Sequence, residues 1–259
     1  LPSACGAVLL LSALSACGTI TVSSWSPLYR GIDFAKGTAD TNEVRLQKVF
    51  TLRVDLTDPT IEFFSTPPTL NGTNETIGQV TTDFVETYGV AAGVNANFFA
   101  PVTNVANYPR NLRGLAISQG NLVSSFENSY PAVLITRSNQ VSFASSSPAS
   151  LTNVWTAVAG SDMILINGVA QLASCTTTFC LENPRTAVGL SQDGRYFYLM
   201  VVDGRQAGWS MGTTLYETGQ WLARFGAWNG LNLDGGGSTA LARLTNGRAV
   251  LLNQPSGGE

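Results

Sequence analysis

Three consecutive glycines constrain this chain more than any other stretch of its sequence. Gly235, Gly236 and Gly237 lie between Asp234 and Ser238, in the run Asn-Leu-Asp-Gly-Gly-Gly-Ser-Thr. Glycine loses more backbone freedom on folding than any other residue, so such a run is costly inside a regular strand. Apolar residues precede and follow it at strand-like spacing, which predicts an open turn between two strand ends. We therefore expect Asp234 and Ser238 beside accessible backbone.

Such a turn has several uses, and the simplest is a glycine-rich hairpin with no chemical role. A Walker-type phosphate loop is excluded, because the chain has no Gly-Lys-Ser/Thr after the glycines. A Ser-His-Asp triad is also excluded. The chain contains no histidine for a Ser-His-Asp triad, and Ala240 stands where a Gly-x-Ser-x-Gly elbow needs its last glycine.

The lack of histidine narrows the chemistry further. Most zinc sites and most general bases at neutral pH use that side chain. Proton transfer would then fall chiefly to carboxylates, which suits cleavage of a glycosidic bond and requires no cofactor. Oxygen ligands would alternatively suit a divalent cation such as calcium, and the sequence leaves both open.

Composition and cysteine spacing predict a globular, exported protein. Hydrophobic residues make up 44% of the chain and charged residues 12%. The net charge of −3 argues against nucleic acid as a partner, because counterion release requires a basic face. Cys175 and Cys180 enclose the short segment Thr-Thr-Thr-Phe, which predicts a disulfide and an oxidising compartment.

The first 18 residues are predicted to be an export or lipoprotein-like segment, being apolar but too short for an ordinary membrane-spanning helix. The run Leu14-Ser15-Ala16-Cys17 is similar to a bacterial lipobox, so Cys17 is the predicted lipidation site and membrane anchor. The expected location is the bacterial cell envelope or the extracellular space. If the segment is retained, its apolar surface needs a cover, which would favour a homo-oligomer or filament.

Periodicity predicts the rest of the architecture. Residues 19–44 are interpreted as an N-terminal strand and linker, and residues 45–259 as the main domain. Alternating apolar residues and turn signals recur along the main domain, while helical spacing is confined to about 77–88 and 213–225. The prediction is an α+β fold of mixed, mainly antiparallel sheet with a few packed helices.

Several motifs of the main domain, taken in order, resemble those of the phosphodiester glycosidase family. They are Val-Asn-Ala-Asn-Phe-Phe at 94–99, Arg-Gly-Leu-Ala-Ile at 113–117, Pro-Arg-Thr-Ala-Val-Gly at 184–189, Val-Asp-Gly-Arg at 202–205, the helix carrying Glu217, and the glycine turn. Each motif alone is weak, but the ordered set is specific and spans about residues 45 to 253.

The resemblance implies hydrolysis of a sugar-1-phosphodiester at the anomeric carbon, which releases the sugar and leaves a phosphomonoester. Asp234 would be the base or nucleophile, with Asp203 or Glu217 as the second carboxylate. Arg185 and Arg205 would clamp the phosphate. The remaining substrate-binding residues would act through side-chain amides, backbone N–H groups or a hydroxyl: Asn95, Asn97, Gly235, Gly236, Gly237 and Ser238.

A second hypothesis comes from one departure from the family pattern. Phe99 is followed by Ala100 and Pro101, where the family often continues with an Asp. The alternative is therefore a catalytically weak or inactive domain of the same fold, serving as a glycan-binding or self-assembling extracellular protein.

Overall fold

The computed structural model describes residues 19–40, 45–69, 75–103, 105 and 107–258. The predicted export segment 1–18, with its lipidation site Cys17, lies outside the described residues. The strands are β1 Thr19–Val22, β2 Ser26–Tyr29, β3 Ile32–Asp40, β4 Gln47–Asp55, β5 Thr76–Ile77, β6 Ala92–Val94, β7 Phe99–Ala100, β8 Pro109–Leu112, β9 Ala116–Ser118, β10 Asn121–Ser124, β11 Ala132–Thr136, β12 Val141–Ala144, β13 Val154–Ala159, β14 Asp162–Ile166, β15 Val169–Ala170, β16 Arg185–Leu190, β17 Tyr196–Val202, β18 Asn229–Asn232, β19 Leu241–Thr245 and β20 Arg248–Leu251. The helices are α1 Thr81–Tyr88 and α2 Leu215–Phe225, and a 3-10 turn covers Gly236–Ser238.

A nine-stranded antiparallel sheet forms the centre of the fold, in the order β1-β3-β4-β17-β16-β18-β14-β15, with β2 paired to β3. A five-stranded sheet has the order β10-β9-β13-β11-β12, and two three-stranded sheets are β20-β19-β6 and β5-β8-β7. The predicted predominance of antiparallel sheet is confirmed. With two α-helices in the described ranges, the fold is mainly β.

Two apolar layers hold the central sheet. On one face, α2 packs its buried side chains Leu215, Trp221, Leu222 and Phe225 against strands such as β16 and β17. On the other face, Val188, Phe197 and Leu231 pack against Val133 and Ile135 of the five-stranded sheet. Burial of this apolar surface on both faces is the main stabilising contribution to the fold.

The prediction of a linker within residues 19–44 is wrong for most of the linker. Residues 32–40 form β3, which pairs with β4 from Ile32 opposite Val54 to Ala39 opposite Gln47. Small residues alternate along β3 and face α2, and a Cβ at Gly37 would lie 2.5 Å from the Trp221 ring. Because the buried positions are Ala and Gly rather than large apolar residues, the alternation escapes a search for hydrophobic periodicity.

The ends of three strands meet at one edge of the fold. β16 begins at Arg185, β18 ends at Asn232, and β6 ends at Val94, immediately before Asn95. Within the central sheet, Asn232 lies opposite Ala187. The glycine turn leaves β18 here and enters β19, whose Leu241 pairs with Val94. Residues distant in the sequence are thus brought around Asp234.

Candidate active site

The backbone of Asp234 is held by the loop that follows β6. The Asp234 N–H donates to the carbonyl of Ala96 at 2.9 Å. The side-chain amide of Asn95 donates to the carbonyl of Asp234 at 2.7 Å. Both backbone polar groups of Asp234 are therefore bonded, which fixes the direction in which the carboxylate leaves the chain.

Asn95 joins three parts of the site. Its Oδ1 accepts a hydrogen bond from the Thr186 hydroxyl at 2.6 Å and another from the Ala240 N–H at 3.2 Å. The amide therefore links β16, the glycine turn and the start of β19. These bonds give Asn95 a positioning role, and its binding of substrate hydroxyls stays a prediction.

Asn97 is also used within the protein. It is buried, and its amide nitrogen donates to the carbonyls of Arg113 and Leu115 at 2.9 and 3.2 Å. This amide ties the loop after β6 to the segment between β8 and β9. The structure thus gives Asn97 a structural contact, and its contact with substrate stays a prediction.

The Asp234 carboxyl group lies in a partly desolvated position. Its Oδ1 accepts a hydrogen bond from the Gly235 N–H at 2.9 Å. Burial raises the pKa of Asp234 to about 6, while hydrogen bonds from Ser238 and Gly235 oppose the shift. Such a pKa allows a carboxylate to exchange a proton near neutral pH, as groups at functional sites often do.

The glycine turn is shaped by its neighbours. The Gly236 N–H donates to the carbonyl of Pro184 at 2.9 Å. A Cβ at Gly235 would lie 2.7 Å from that same carbonyl oxygen, and Gly236 has a φ of 62°. Gly237 is exposed, and a Cβ there would meet no atom within 4 Å. The turn therefore offers open space beside Asp234 at Gly237.

Arg205 provides positive charge beside this turn. It is exposed and adopts a φ of 58°, which aims the side chain back across Gly236. A Cβ on Gly236 would lie 3.1 Å from Arg205 Nη2. The guanidinium donates from Nε and Nη2 to Oδ1 of Asn183, at 3.2 and 2.8 Å. Arg205 is thus an oriented cation with its Nη1 edge left for an anion.

Arg185 differs from the expected phosphate clamp. Its side chain is 3% exposed, and Nε donates to the carbonyl of Thr213 at 3.1 Å. Its Nη2 donates to the carbonyls of Phe179 and Leu181, both at 2.6 Å. Burial and the charge of Arg205 lower the pKa of Arg185 to about 10, and Asp162 opposes the shift. Arg185 therefore connects the end of the disulfide-bonded loop and the residue that follows it to the segment that leads into α2.

Asp203 is a buried anchor rather than a second catalytic carboxylate. Its two carboxylate oxygens accept hydrogen bonds from Trp209 Nε1 and Asn253 Nδ2, both at 2.8 Å, and from the Gln254 N–H at 3.1 Å. Burial raises the pKa of Asp203, and these donors oppose the shift. Asn253 also accepts from Leu241 N–H, so Asp203 fixes the strand that follows the glycine turn.

Glu217 is likewise a structural residue. It forms a capping box at the start of α2, in which Thr214 N–H donates to Glu217 Oε2 at 2.8 Å and Glu217 N–H donates to the Thr214 hydroxyl at 3.1 Å. The same carboxylate pairs with Arg45 at 2.7 Å. A capping box uses Glu or Gln at this position, which accounts for the residue without a catalytic role.

Two residues of the site were missed by sequence reasoning. Thr186 orients Asn95, and Asn183 orients Arg205. Both belong to the run Asn-Pro-Arg-Thr at 183–186, in which only Arg185 is predicted as a site residue, because of its charge. The alternation of side chains along a strand predicts that Thr186 points away from Arg185, and the tertiary structure shows that its hydroxyl meets Asn95.

The described ranges also contain the predicted disulfide-bonded loop. The disulfide between Cys175 and Cys180 is present. Within these ranges, no group of three or more His, Cys, Asp or Glu side chains comes together as a metal site would require. None of the described helices combines the length and apolar character needed to cross a bilayer.

The fold is mainly antiparallel β, and its glycine turn carries the partly buried Asp234 carboxyl group and lies against the Arg205 guanidinium. The family model described as phosphodiester glycosidase matches residues 88–259. The chain therefore belongs to the phosphodiester glycosidase family, and the family-level resemblance is confirmed.

Solved structures share this fold at low sequence identity. A hypothetical protein from Synechocystis matches with a TM-score of 0.65 and 16% identity. The match covers 95% of this chain and 63% of the Synechocystis chain. The catalytic domain of zebrafish N-acetylglucosamine-1-phosphodiester α-N-acetylglucosaminidase, auto-inhibited by its pro-peptide, matches with a TM-score of 0.63 and 19% identity, over 95% of this chain and 79% of its own. A Burkholderia pseudomallei protein described as a candidate exported protein matches with a TM-score of 0.60 and 15% identity, over 86% of this chain and 74% of its own. A search of the curated proteins finds no match.

Proposed function

We propose that this protein hydrolyses the glycosidic bond of a sugar-1-phosphodiester in extracellular or cell-surface glycans. The observation that carries the proposal is the Asp234 carboxyl group, which burial holds at a pKa of about 6 on the glycine turn whose Gly237 is exposed. Arg205 lies over the same turn, where it can meet a phosphate. Family membership supports the same class of reaction.

The proposed reaction breaks the bond between the anomeric carbon and the phosphate oxygen. Ionised Asp234 acts as the nucleophile at that carbon or as the base that activates water, and a water oxygen ends on the sugar. The bonding pair of the broken bond leaves with the phosphomonoester. Because phosphate is a good leaving group, the reaction needs less help from a general acid than cleavage of an ordinary glycoside. The proposal requires no cofactor and fits a site with one described carboxylate on the turn.

In this reaction Arg205 stabilises the negative charge on the leaving phosphate. A guanidinium can donate two parallel hydrogen bonds to phosphate oxygens, and the charge that develops on the leaving phosphate strengthens them. Asn183 holds the guanidinium by Nε and Nη2, which leaves Nη1 as its donor towards the turn. Arg185 supports this arrangement from inside the protein, through the carbonyls that it bonds.

The test is hydrolysis of a panel of sugar-1-phosphodiesters by the purified protein, with both products measured. We expect free sugar and a phosphomonoester in equal amounts. Release of a sugar-1-phosphate would mean that the phosphorus–oxygen bond is cleaved instead, and would overturn the proposed chemistry. A lack of turnover on the whole panel would favour the glycan-binding alternative.

Arg205→Ala is the variant that separates phosphate recognition from folding in this assay. Loss of a charged hydrogen-bond donor should lower kcat/KM for the phosphodiester by about tenfold to a hundredfold. Arg248→Ala is a matched control, since Arg248 is also exposed but pairs with Glu86 in another part of the fold. Equal activity of the two variants would remove Arg205 from the proposed site.

We also propose that the protein is exported and anchored through Cys17. The disulfide suits an oxidising compartment, and one structural neighbour is described as a candidate exported protein. Expression of the full chain in a bacterium with radiolabelled palmitate should label the wild type. Cys17→Ser should lose the label completely, whereas Cys5→Ser should keep it. Equal labelling of both variants would contradict the proposal.

A further inference from the structure

A shallow depression of about 420 Å³ lies at the end of the central sheet opposite the glycine turn. It is lined by residues of the β16–β17 hairpin, of β17 and of the turn that ends α2: Ser191, Gln192, Asp193, Tyr196, Tyr198 and Gly226. The length of β16 separates it from Arg185, about 20 Å at the usual rise of a strand. The depression is therefore distinct from the site around Asp234.

Tyr198 is the notable side chain in this depression. It is 3% exposed, yet its hydroxyl makes no hydrogen bond with the part of the chain that the structure describes. A Cβ on Gly226 would lie 2.7 Å from that hydroxyl, so the glycine leaves room for it. The hydroxyl oxygen still reaches solvent in the depression, so a ligand can meet it there. Burial also raises the pKa of Tyr198 to about 12, so the group stays a neutral donor and acceptor.

Gln192 and Asp193, at the rim of the depression, have polar atoms that make no hydrogen bond with the described residues. Gln192 is exposed, and its amide makes no hydrogen bond within the described ranges. Asp193 uses Oδ1 to accept from the Ser191 hydroxyl at 2.5 Å and from the Arg195 N–H at 3.0 Å, which leaves Oδ2 for a ligand. The depression thus combines donors and acceptors in the way that a polyhydroxylated ligand requires.

The rest of the depression is bordered by Tyr196, whose ring lies close to two arginine side chains. The Tyr196 ring has Arg53 at 4.7 Å and Arg195 at 4.9 Å from its centroid, and Arg53 also lies 4.5 Å from the Trp25 ring. Both cations are paired, Arg53 with Asp33 at 2.7 Å and Arg195 with Asp55 at 2.8 Å. Asp193 adds a further negative charge, so the local balance disfavours a phosphate or other anion.

We propose that this depression binds a neutral sugar unit of a glycan, with the Tyr198 hydroxyl and the Gln192 amide as its hydrogen-bonding groups. The ligand's hydroxyls replace the solvent that meets the Tyr198 hydroxyl, and Tyr196 lines the depression beside them. The site holds a glycan chain at a distance from Asp234. It does not depend on the proposed hydrolysis, because an inactive protein could bind glycan through the same groups.

The test is calorimetric titration of the full chain with four neutral hexasaccharides, made of glucose, N-acetylglucosamine, mannose or galactose. We expect at least one to bind the wild type. Tyr198→Phe, which removes a single oxygen, should weaken that binding by about threefold to tenfold, as loss of a neutral hydrogen bond does. Gln192→Ala should weaken it similarly, and hydrolysis of a small sugar-1-phosphodiester should be unchanged in both variants.

Gln140→Ala is the matched control, because Gln140 is an exposed amide on another hairpin and should leave binding unchanged. Thermal unfolding of each variant shows whether the fold is kept, and the exposed Gln192 keeps the test valid if Tyr198→Phe is unstable. The proposal is overturned if no hexasaccharide binds the wild type, or if all variants bind equally well. Hexasaccharide binding together with no turnover of any sugar-1-phosphodiester would support this site while contradicting the proposed function.

Discussion

Asp234→Asn is expected to lower kcat for a sugar-1-phosphodiester by about a hundredfold to ten-thousandfold, the usual effect of losing a group that transfers a proton. The amide keeps the size of the carboxyl group and its contact with the Gly235 N–H, but it cannot act as a base or nucleophile. Initial rates of free-sugar release measure the effect. Glu217→Gln is the matched control and should keep its activity, because that carboxylate serves the capping box and Arg45.

The pH profile of the wild type provides a second check on Asp234. If the reaction needs the ionised carboxylate, kcat/KM should rise with pH and reach half of its plateau near pH 6, where the pKa of this group lies. A profile that is flat between pH 5 and 8 would contradict the assignment, as would an active Asp234→Asn variant. Both measurements use the same assay.

Asp234 should also make the folded protein less stable at neutral pH. Its pKa is about 6 in the folded state and about 3.9 in an unfolded chain, so the folded state binds the proton more tightly. The free energy of unfolding therefore falls as pH rises from about 4 to 6 and stays lower above that range. At pH 7, Asp234→Asn should unfold with a free energy higher by about 2 kcal/mol, as measured in urea.

Arg185→Ala is expected to have the largest effect on stability, lowering the free energy of unfolding by about 4 kcal/mol. The substitution leaves the carbonyls of Phe179, Leu181 and Thr213 without this buried donor, and each lost partner of that kind costs about 1–3 kcal/mol. Since a whole domain is stable by only about 5–15 kcal/mol, the variant should express poorly or unfold at low urea.

Arg205→Ala is the control for this effect, because Arg205 is exposed and should change stability by less than about 0.5 kcal/mol. Arg185→Lys should recover little, since one ammonium group cannot reproduce the spread of a guanidinium across three carbonyls. If Arg185→Ala unfolds at the same urea concentration as the wild type and mainly raises KM, the phosphate-clamp hypothesis would replace the structural one.

Much of the fold follows from local patterns in the sequence. The alternation in β4 and the apolar run of β17 predict strands, and these are the neighbours that pair at the centre of the sheet. Leu215, Leu222 and Phe225 recur at helical spacing, which predicts the helix α2. β3 was missed because its buried positions carry Ala35, Gly37 and Ala39, whose small size suits the approach of Trp221.

The roles of the charged residues were harder to predict. Asp203, Glu217 and Arg185 have the side chains that the chemistry requires, and each stands in a motif typical of the family. Whether a charged group serves structure or reaction depends on which donors and acceptors reach it in space. Trp209 and Asn253 reach Asp203, Thr214 and Arg45 reach Glu217, and backbone carbonyls reach Arg185.

The sequence alone determined the antiparallel β-architecture, the disulfide-bonded loop, the family and the turn that carries Asp234, because each depends on neighbouring residues and their spacing. Only the tertiary structure decided which polar residues are free to act. Hydrogen-bond partners such as Asn95 with Thr186, or Arg205 with Asn183, are set by strand order and register. The same applies to the pKa of Asp234, since burial is a property of the packed chain and not of any segment.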